Sequence, residues 1–79
     1  MAKGEPESAE VRKIKDAILA ELLRAYGASG TVYQQSTDPE TRRTALDMKR
    51  CCDLAINHLA PLSAHVEKLR DDLGTRFAA

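Results

Sequence analysis

Three side chains that could bind a metal ion or act as nucleophiles recur at seven-residue intervals, at Cys51, His58 and His65. Thiolate sulfur and imidazole nitrogen are ligands that zinc prefers. Residues seven apart on one helix are separated by about 10 Å, however, whereas ligands to one zinc ion within a helix need a spacing of three or four residues. The spacing therefore predicts a solvated helix edge and no metal. The alternatives are a zinc ion shared between subunits and histidines that tune a subunit contact with pH.

Catalysis has little support in the sequence. There is no Gly-rich phosphate-binding loop, no nucleophile paired with a base at a recognised spacing, and no pair of buried carboxylates. Cys51 follows Arg50, and a positive neighbour favours a reactive thiolate, but this signal is weak by itself. We therefore expect a protein that is not an enzyme and that needs no cofactor.

Basic side chains cluster near the start of the second predicted helix, at Arg42, Arg43, Lys49 and Arg50. Like charges there oppose the helix dipole, and pairs four residues apart with Asp47 and Asp53 partly relieve this. The cluster is either a solvated face or a contact for an acidic partner or a phosphate. The chain has 12 basic and 12 acidic residues. This balance, with no helix-turn-helix spacing, argues against sequence-specific DNA recognition.

The element that carries these residues is organised around an apolar heptad repeat, which we call the heptad seam. Its nine positions alternate in steps of three and four residues: Ala45, Met48, Cys52, Ala55, Leu59, Leu62, Val66, Leu69 and Leu73. This register is typical of a helix that presents a narrow apolar edge to another helix. From Met48 onward, we expect these residues to form the interface with a partner helix, with Leu59, Leu62, Val66 and Leu69 as anchors.

The second helix is predicted to begin at Asp38-Pro39-Glu40 and to end before Gly74, because these residues suit a helix start and a helix end. Pro61 falls inside it and removes one backbone hydrogen bond. The heptad register continues across Pro61, so we favour one kinked helix over two helices split at Ala60.

The first helix is predicted from a Ser8 cap to Gly27, with the linker 27–38 after it. Its apolar residues Val11, Ile14, Ile18, Leu22 and Ala25 form a stripe, and Leu19, Leu23 and Tyr26 widen the apolar arc to about 180°. An arc of this width predicts contact with two neighbouring helices.

The predicted fold is all-α: an antiparallel helical hairpin with a long Pro-kinked second helix, in a dimeric four-helix bundle. Residues 8–74 form one domain, between a flexible leader 1–7 and a flexible tail 75–79. The second helix would be about 52 Å long and the first about 30 Å. The apolar overhang must therefore fold back at Pro61, meet a second copy, or meet another protein. A chain of 79 residues buries little surface alone, which favours a homodimer.

The expected location is the cytoplasm. Cys51 and Cys52 are adjacent and cannot bridge distant parts of the fold, which favours a reducing compartment. The polar residues 1–7 do not form a signal peptide, and no apolar run approaches the length that spans a membrane.

The Asp38-Pro39-Glu40 cap and the apolar repeat after it resemble the type III secretion needle co-chaperones, which are small helical hairpins with such a cap before a longer second helix. This chain has Thr41-Arg42-Arg43 where that family has an aromatic-rich start. The resemblance implies a chaperone-type function.

We therefore expect a small non-enzymatic interaction module, an adaptor, inhibitor or co-chaperone, that binds a heterologous protein through helix faces while the basic residues steer an acidic partner. The alternative is a nucleic-acid-associated regulator that uses the basic residues of both subunits. Salt would discriminate between them, because phosphate binding weakens steeply with salt and apolar binding hardly changes. We expect no membrane partner.

Overall fold

A computed structural model describes residues 8–60 and 63–78, and this part of the chain is all-helical. Helix α1 spans Ala9–Gln35, α2 spans Pro39–Leu59, α3 spans Ala64–Gly74, and a 3₁₀ helix, η1, spans Thr75–Phe77. Within these ranges no helix combines the length and the apolar character needed to span a membrane. The molecule is elongated, with extents of 51 × 20 × 17 Å.

Side-chain caps begin all three α-helices. Ser8 accepts a hydrogen bond from the backbone N–H of Val11 at 3.1 Å, and Asp38 accepts one from the N–H of Thr41 at 2.9 Å. Both caps confirm the predicted helix starts, and each satisfies one of the N–H groups that a helix start leaves without an intrahelical acceptor. The third cap, at Ser63, was not predicted.

The first correction concerns the length of α1, which continues to Gln35 instead of ending at Gly27. The predicted linker 27–38 is therefore reduced to residues 36–38. Gly27 and Gly30 lie where another element packs closely on the helix. A Cβ at Gly27 would lie 2.9 Å from Cδ2 of Leu73, and a Cβ at Gly30 would lie 2.4 Å from Cβ of Arg76. These glycines permit a close approach and do not end the helix.

The second correction concerns the predicted kinked helix, which the structure divides into α2 and α3. Pro61 and Leu62 lie outside the described residues. Ala60 ends α2 with φ −141° and ψ 59°, outside the helical region. A proline ring disfavours the helical conformation of the residue before it. Ser63 then caps α3 by accepting a hydrogen bond from the N–H of Val66 at 3.3 Å. Together these local preferences outweigh the continuous heptad register.

The three helices share one core. Tyr33 near the end of α1 lies beside Arg42, and Tyr26 lies beside Lys49, so α1 and α2 run in opposite directions. The core consists of Tyr26, Cys52, Ile56 and Val66, with partly buried apolar residues around it, among them Leu19, Leu22, Leu23, Leu73 and Phe77. Of the three routes predicted for the apolar overhang, the described structure shows the fold-back onto α1.

Residues 75–77, which the sequence analysis placed in the tail after the helical domain, form η1 and pack against α1. The Phe77 ring meets Tyr26 edge-on at 5.4 Å between centroids and lies 5.8 Å from Tyr33. Arg76 donates from Nη1 to Oγ1 of Thr31 at 2.8 Å and to the Gly27 carbonyl at 3.3 Å. Aromatic packing and these hydrogen bonds hold η1 against the helix.

Candidate functional site

The residues predicted as a partner interface are distributed between the core and the surface. Cys52 and Val66 are buried in the core. Ala55, Leu59 and Leu73 are partly buried, Met48 and Leu69 are exposed by 44% and 36%, and Leu62 lies outside the described residues. Much of the heptad seam therefore packs inside the chain itself. Contact of these residues with another protein stays a prediction.

Ile56 is the core residue that the heptad register missed, and it is completely buried at 0% exposure. It follows Cys52 by four residues, a spacing that keeps both side chains on one helix face. This apolar pair was the available signal that α2 turns its Ile56 edge, rather than the Met48 edge, toward the core.

The four basic residues form two pairs, Arg42 with Lys49 and Arg43 with Arg50, and the members of each pair are seven residues apart. The Arg42 guanidinium lies 4.1 Å from the centroid of the Tyr33 ring, and Nζ of Lys49 lies 2.9 Å from a carboxylate oxygen of Asp53. The Lys49–Asp53 pair was predicted. Arg43 and Arg50, one position further along, are exposed. One residue turns a helix by about 100°, so the two pairs face different directions.

A polar cluster joins α2 to α3. Arg70 of α3 approaches Asp53 at 3.4 Å through Nε and donates a hydrogen bond to the Asn57 side chain, while Asp53 also binds Lys49. Burial raises the pKa of the neighbouring Tyr26 phenol, and the Asp53 carboxylate acts in the same direction. Asp53 contacts both Lys49 of α2 and Arg70 of α3, so the cluster links the two helices through ion pairs. Because Lys49 is engaged in this cluster, it is less available to a partner.

The two cysteines have different surroundings. Cys51 is exposed, as are His58 and His65, whereas Cys52 is 3% exposed. Burial raises the pKa of the Cys52 thiol. Over residues 8–60 and 63–78, no three His, Cys, Asp or Glu side chains are placed to hold a metal ion together.

Alkylation should distinguish the two thiols. With iodoacetamide at mildly alkaline pH, we expect Cys51 to react first and Cys52 to react at least about tenfold more slowly, because a buried thiol with a raised pKa forms little thiolate until the chain opens. Peptide mass mapping over time measures both rates. In the Cys51→Ser variant the fast phase should vanish, and in denaturant the two rates should converge. Equal rates in the folded protein would contradict the burial of Cys52.

An apolar groove lies between α1 and α2, lined mainly by small side chains. It has a volume of about 590 Å³, and its apolar lining includes Ala25, Ala28, Val32, Ala45 and Met48. We call it the α1–α2 groove. Val32 and Met48 each expose 44% of their surface. Small side chains on two adjacent helices leave room for a third helix to approach closely.

The α1 stripe, defined as Val11, Ile14 and Ile18, continues the same face of α1 toward its start. These side chains are 45%, 53% and 45% exposed. Val11, Ile18, Ala25 and Val32 are spaced by seven residues, which places the stripe and the groove lining in one line. The sequence analysis found these apolar residues but expected neighbouring helices to cover them. In the described part of the chain, α2 and α3 instead pack on the sides of α1 that carry Leu19, Leu22, Leu23 and Tyr26.

Comparison of the chain with protein-family models, with curated proteins and with solved structures finds no significant match. The resemblance to needle co-chaperones therefore rests on the Asp38-Pro39-Glu40 cap and the apolar repeat alone.

Proposed function

We propose that the protein is a non-enzymatic interaction module whose α1–α2 groove binds an apolar helix of another protein, as an adaptor, inhibitor or co-chaperone does. The observation that carries this proposal is the groove itself. The core of Tyr26, Cys52, Ile56 and Val66 does not include the groove residues Ala28, Val32 and Met48. These three side chains are exposed, so they are open to a contact between proteins.

The shape and composition of the groove suit a helix. Ala25, Ala28 and Ala45 contribute little side-chain bulk, and Val32 and Met48 are the larger apolar side chains. An amphipathic helix binds such a surface through anchors spaced by three or four residues, and the flexible Met48 side chain adapts to their shape. The hairpin of α1 and α2 supplies both walls.

The charges beside the groove favour a partner with a basic residue next to its apolar anchors. Asp38 and Glu40 line one end of the groove. Asp38 is engaged in the cap of α2, whereas Glu40 lies in the exposed first turn. The predicted contact of the basic residues with an acidic partner stays a prediction. It would use another surface, because the exposed Arg43 lies on a different face of α2, about 100° or more from Thr41 and Thr44 at the groove.

The nucleic-acid alternative stays a prediction, and no described contact favours it. Arg42 faces Tyr33, Lys49 faces Asp53, and Arg50 lies 3.8 Å from Asp47. Phosphate binding would draw on these three cations, which already have partners within the chain, together with the exposed Arg43. A steep loss of binding with salt remains its signature.

A photocrosslinking amino acid at Val32 tests the proposed function. Benzoylphenylalanine at this position, in cells that make the protein, should form a covalent product with one other protein because the side chain projects from the groove. Leu54 is the matched control, since it is 63% exposed and lies on the outer side of α2. The product should be absent from Leu54 and lost when Met48→Asp is added.

Two results would contradict the proposal. The same products from Val32 and Leu54 would indicate non-specific contact. Products that contain only this chain would show that the groove binds a second copy instead of another protein.

A further inference from the structure

The α1 stripe is an exposed apolar surface that the proposed groove contact does not use. Val11, Ile14 and Ile18 follow one another at spacings of three and four residues, so their side chains form a single ridge along the first three turns of α1. Each exposes between 45% and 53% of its surface. Among the described residues, the partly buried apolar side chains of α1 begin at Leu19, so the ridge lies beyond the shared core.

The charged residues along one edge of the α1 stripe follow a pattern that would pair with the same residues of a second copy of the chain. Going along α1, they are Glu10, Lys13, Glu21 and Arg24, with the small residue Ala17 midway between them. All five are exposed. If two α1 helices pack antiparallel with Ala17 facing Ala17 of the second copy, Glu10 faces Arg24 and Lys13 faces Glu21. Each of these opposite-charge pairs then occurs twice, because the arrangement has a twofold axis.

The other arrangements of two α1 helices are less favourable. Sliding one helix by three residues one way places Glu10 against Glu21, and sliding it the other way places Lys13 against Arg24, so like charges meet in both cases. In a parallel pair in register, every charged residue faces the same residue of the second copy, so like charges meet at each position. Like-charge contacts select against wrong registers, as they do in coiled coils.

We infer that the α1 stripe is covered by the α1 helix of a second copy of this chain, packed antiparallel about a twofold axis at Ala17. Ala17 has a small side chain, which lets the two backbones approach, and the ridge residues then pack across the axis. Within one chain, Arg24 also forms an ion pair with Glu21, but the two side chains remain 73% and 68% exposed. They stay accessible to the second copy.

This dimer differs from the one predicted from the sequence. The heptad seam of the second helix was expected to form the subunit contact, whereas the inferred contact uses only α1. The inferred interface involves a single pair of helices, which places it among small protein interfaces, and we expect a dissociation constant in about the micromolar range. It is independent of the α1–α2 groove, so the two proposals succeed or fail separately.

Charge exchange tests the inference on the full chain. Light scattering and sedimentation over a range of concentrations should show a reversible monomer–dimer equilibrium. Glu10→Arg and Arg24→Glu, each alone, bring like charges together twice per dimer and should raise the dissociation constant by roughly tenfold. The double variant Glu10→Arg/Arg24→Glu reverses both charges, so opposite charges meet again across the interface. It should return the dissociation constant to the wild-type value.

Two further variants separate the interface from folding. Ile14→Asp places a charge in the ridge and should abolish the dimer, while circular dichroism should show a melting curve close to that of wild type at low concentration. Arg12→Glu alters an exposed charge on another side of α1 and should leave the dimer unchanged.

Three results would overturn the inference. A monomer at every concentration would mean that the ridge has no second copy. A dimer that Ile14→Asp leaves intact would place the contact elsewhere. Failure of the charge exchange to restore a dimer that Ile14→Asp disrupts would exclude the antiparallel register.

Discussion

Replacing Ile56 with alanine should lower the free energy of unfolding by about 2–5 kcal/mol, the usual cost of truncating a buried aliphatic side chain and leaving a cavity. Ile56 is completely buried, and it shares the core with Tyr26 of α1, Cys52 of α2 and Val66 of α3. The truncation therefore weakens the contact of all three helices at once.

This loss would be a large fraction of the total stability. Globular chains gain roughly 0.05–0.15 kcal/mol per residue, which corresponds to about 4–12 kcal/mol for a chain of this length. Urea unfolding followed by circular dichroism measures the change. Leu54→Ala is the matched control, two residues away on the same helix and 63% exposed, and its effect should stay within about 0.5 kcal/mol. Similar losses in the two variants would show that Ile56 is not at the centre of the core.

Replacing Gly30 with alanine should destabilise the protein by about 1–3 kcal/mol, the range for forcing an extra group into a packed site. In an unobstructed helix the same change stabilises by roughly 0.5–1 kcal/mol, because alanine loses less backbone freedom on folding. Here the new Cβ would lie 2.4 Å from Cβ of Arg76 and 3.2 Å from Cε2 of Phe77. The 3₁₀ helix η1 must then move away from α1, and Phe77 loses its contact with Tyr26.

Two companion variants isolate the cause of this effect. Gly27→Ala should cost less, because its closest neighbour is the terminal Cδ2 of Leu73 at 2.9 Å, which belongs to a flexible side chain. Adding Arg76→Gly to Gly30→Ala removes the clashing Cβ and should recover part of the lost stability. Urea unfolding gives the energies, and near-ultraviolet circular dichroism reports the tyrosine packing. A stabilised Gly30→Ala variant would contradict the close contact of η1 with α1.

Features that depend on nearby residues were predictable from the sequence. The Ser8 and Asp38 caps, the ion pair of Lys49 with Asp53 and the all-helical class were all predicted and are confirmed. Each arises from hydrogen bonds, charges or apolar spacing within a few residues along the chain. Such interactions operate over one or two helical turns and do not depend on how the helices pack.

The sequence predicted that the α1 stripe is apolar but not that it is exposed. The apolar spacing of Val11, Ile14 and Ile18 was evident, but periodicity describes a helix face and not its occupant. The heptad seam has the same difficulty. Its register predicted that the edge with Met48 meets another helix, whereas the packing against Tyr26 turns the edge with Ile56 toward the core.

Only the tertiary structure decided which elements meet. Gly27 could end a helix or admit a neighbour, and it admits Leu73 because α3 folds back onto α1. The division into α2 and α3 permits that fold-back, and it allows Val66 to enter the core. The sequence by itself determined the helical class, the starts of α1 and α2 and the apolar stripe of α1, since these depend on local contacts. The partner of each edge depends on residues farther apart in the chain, 23 positions for Tyr26 and Lys49 and 46 for Gly27 and Leu73. Local sequence carries no record of those contacts.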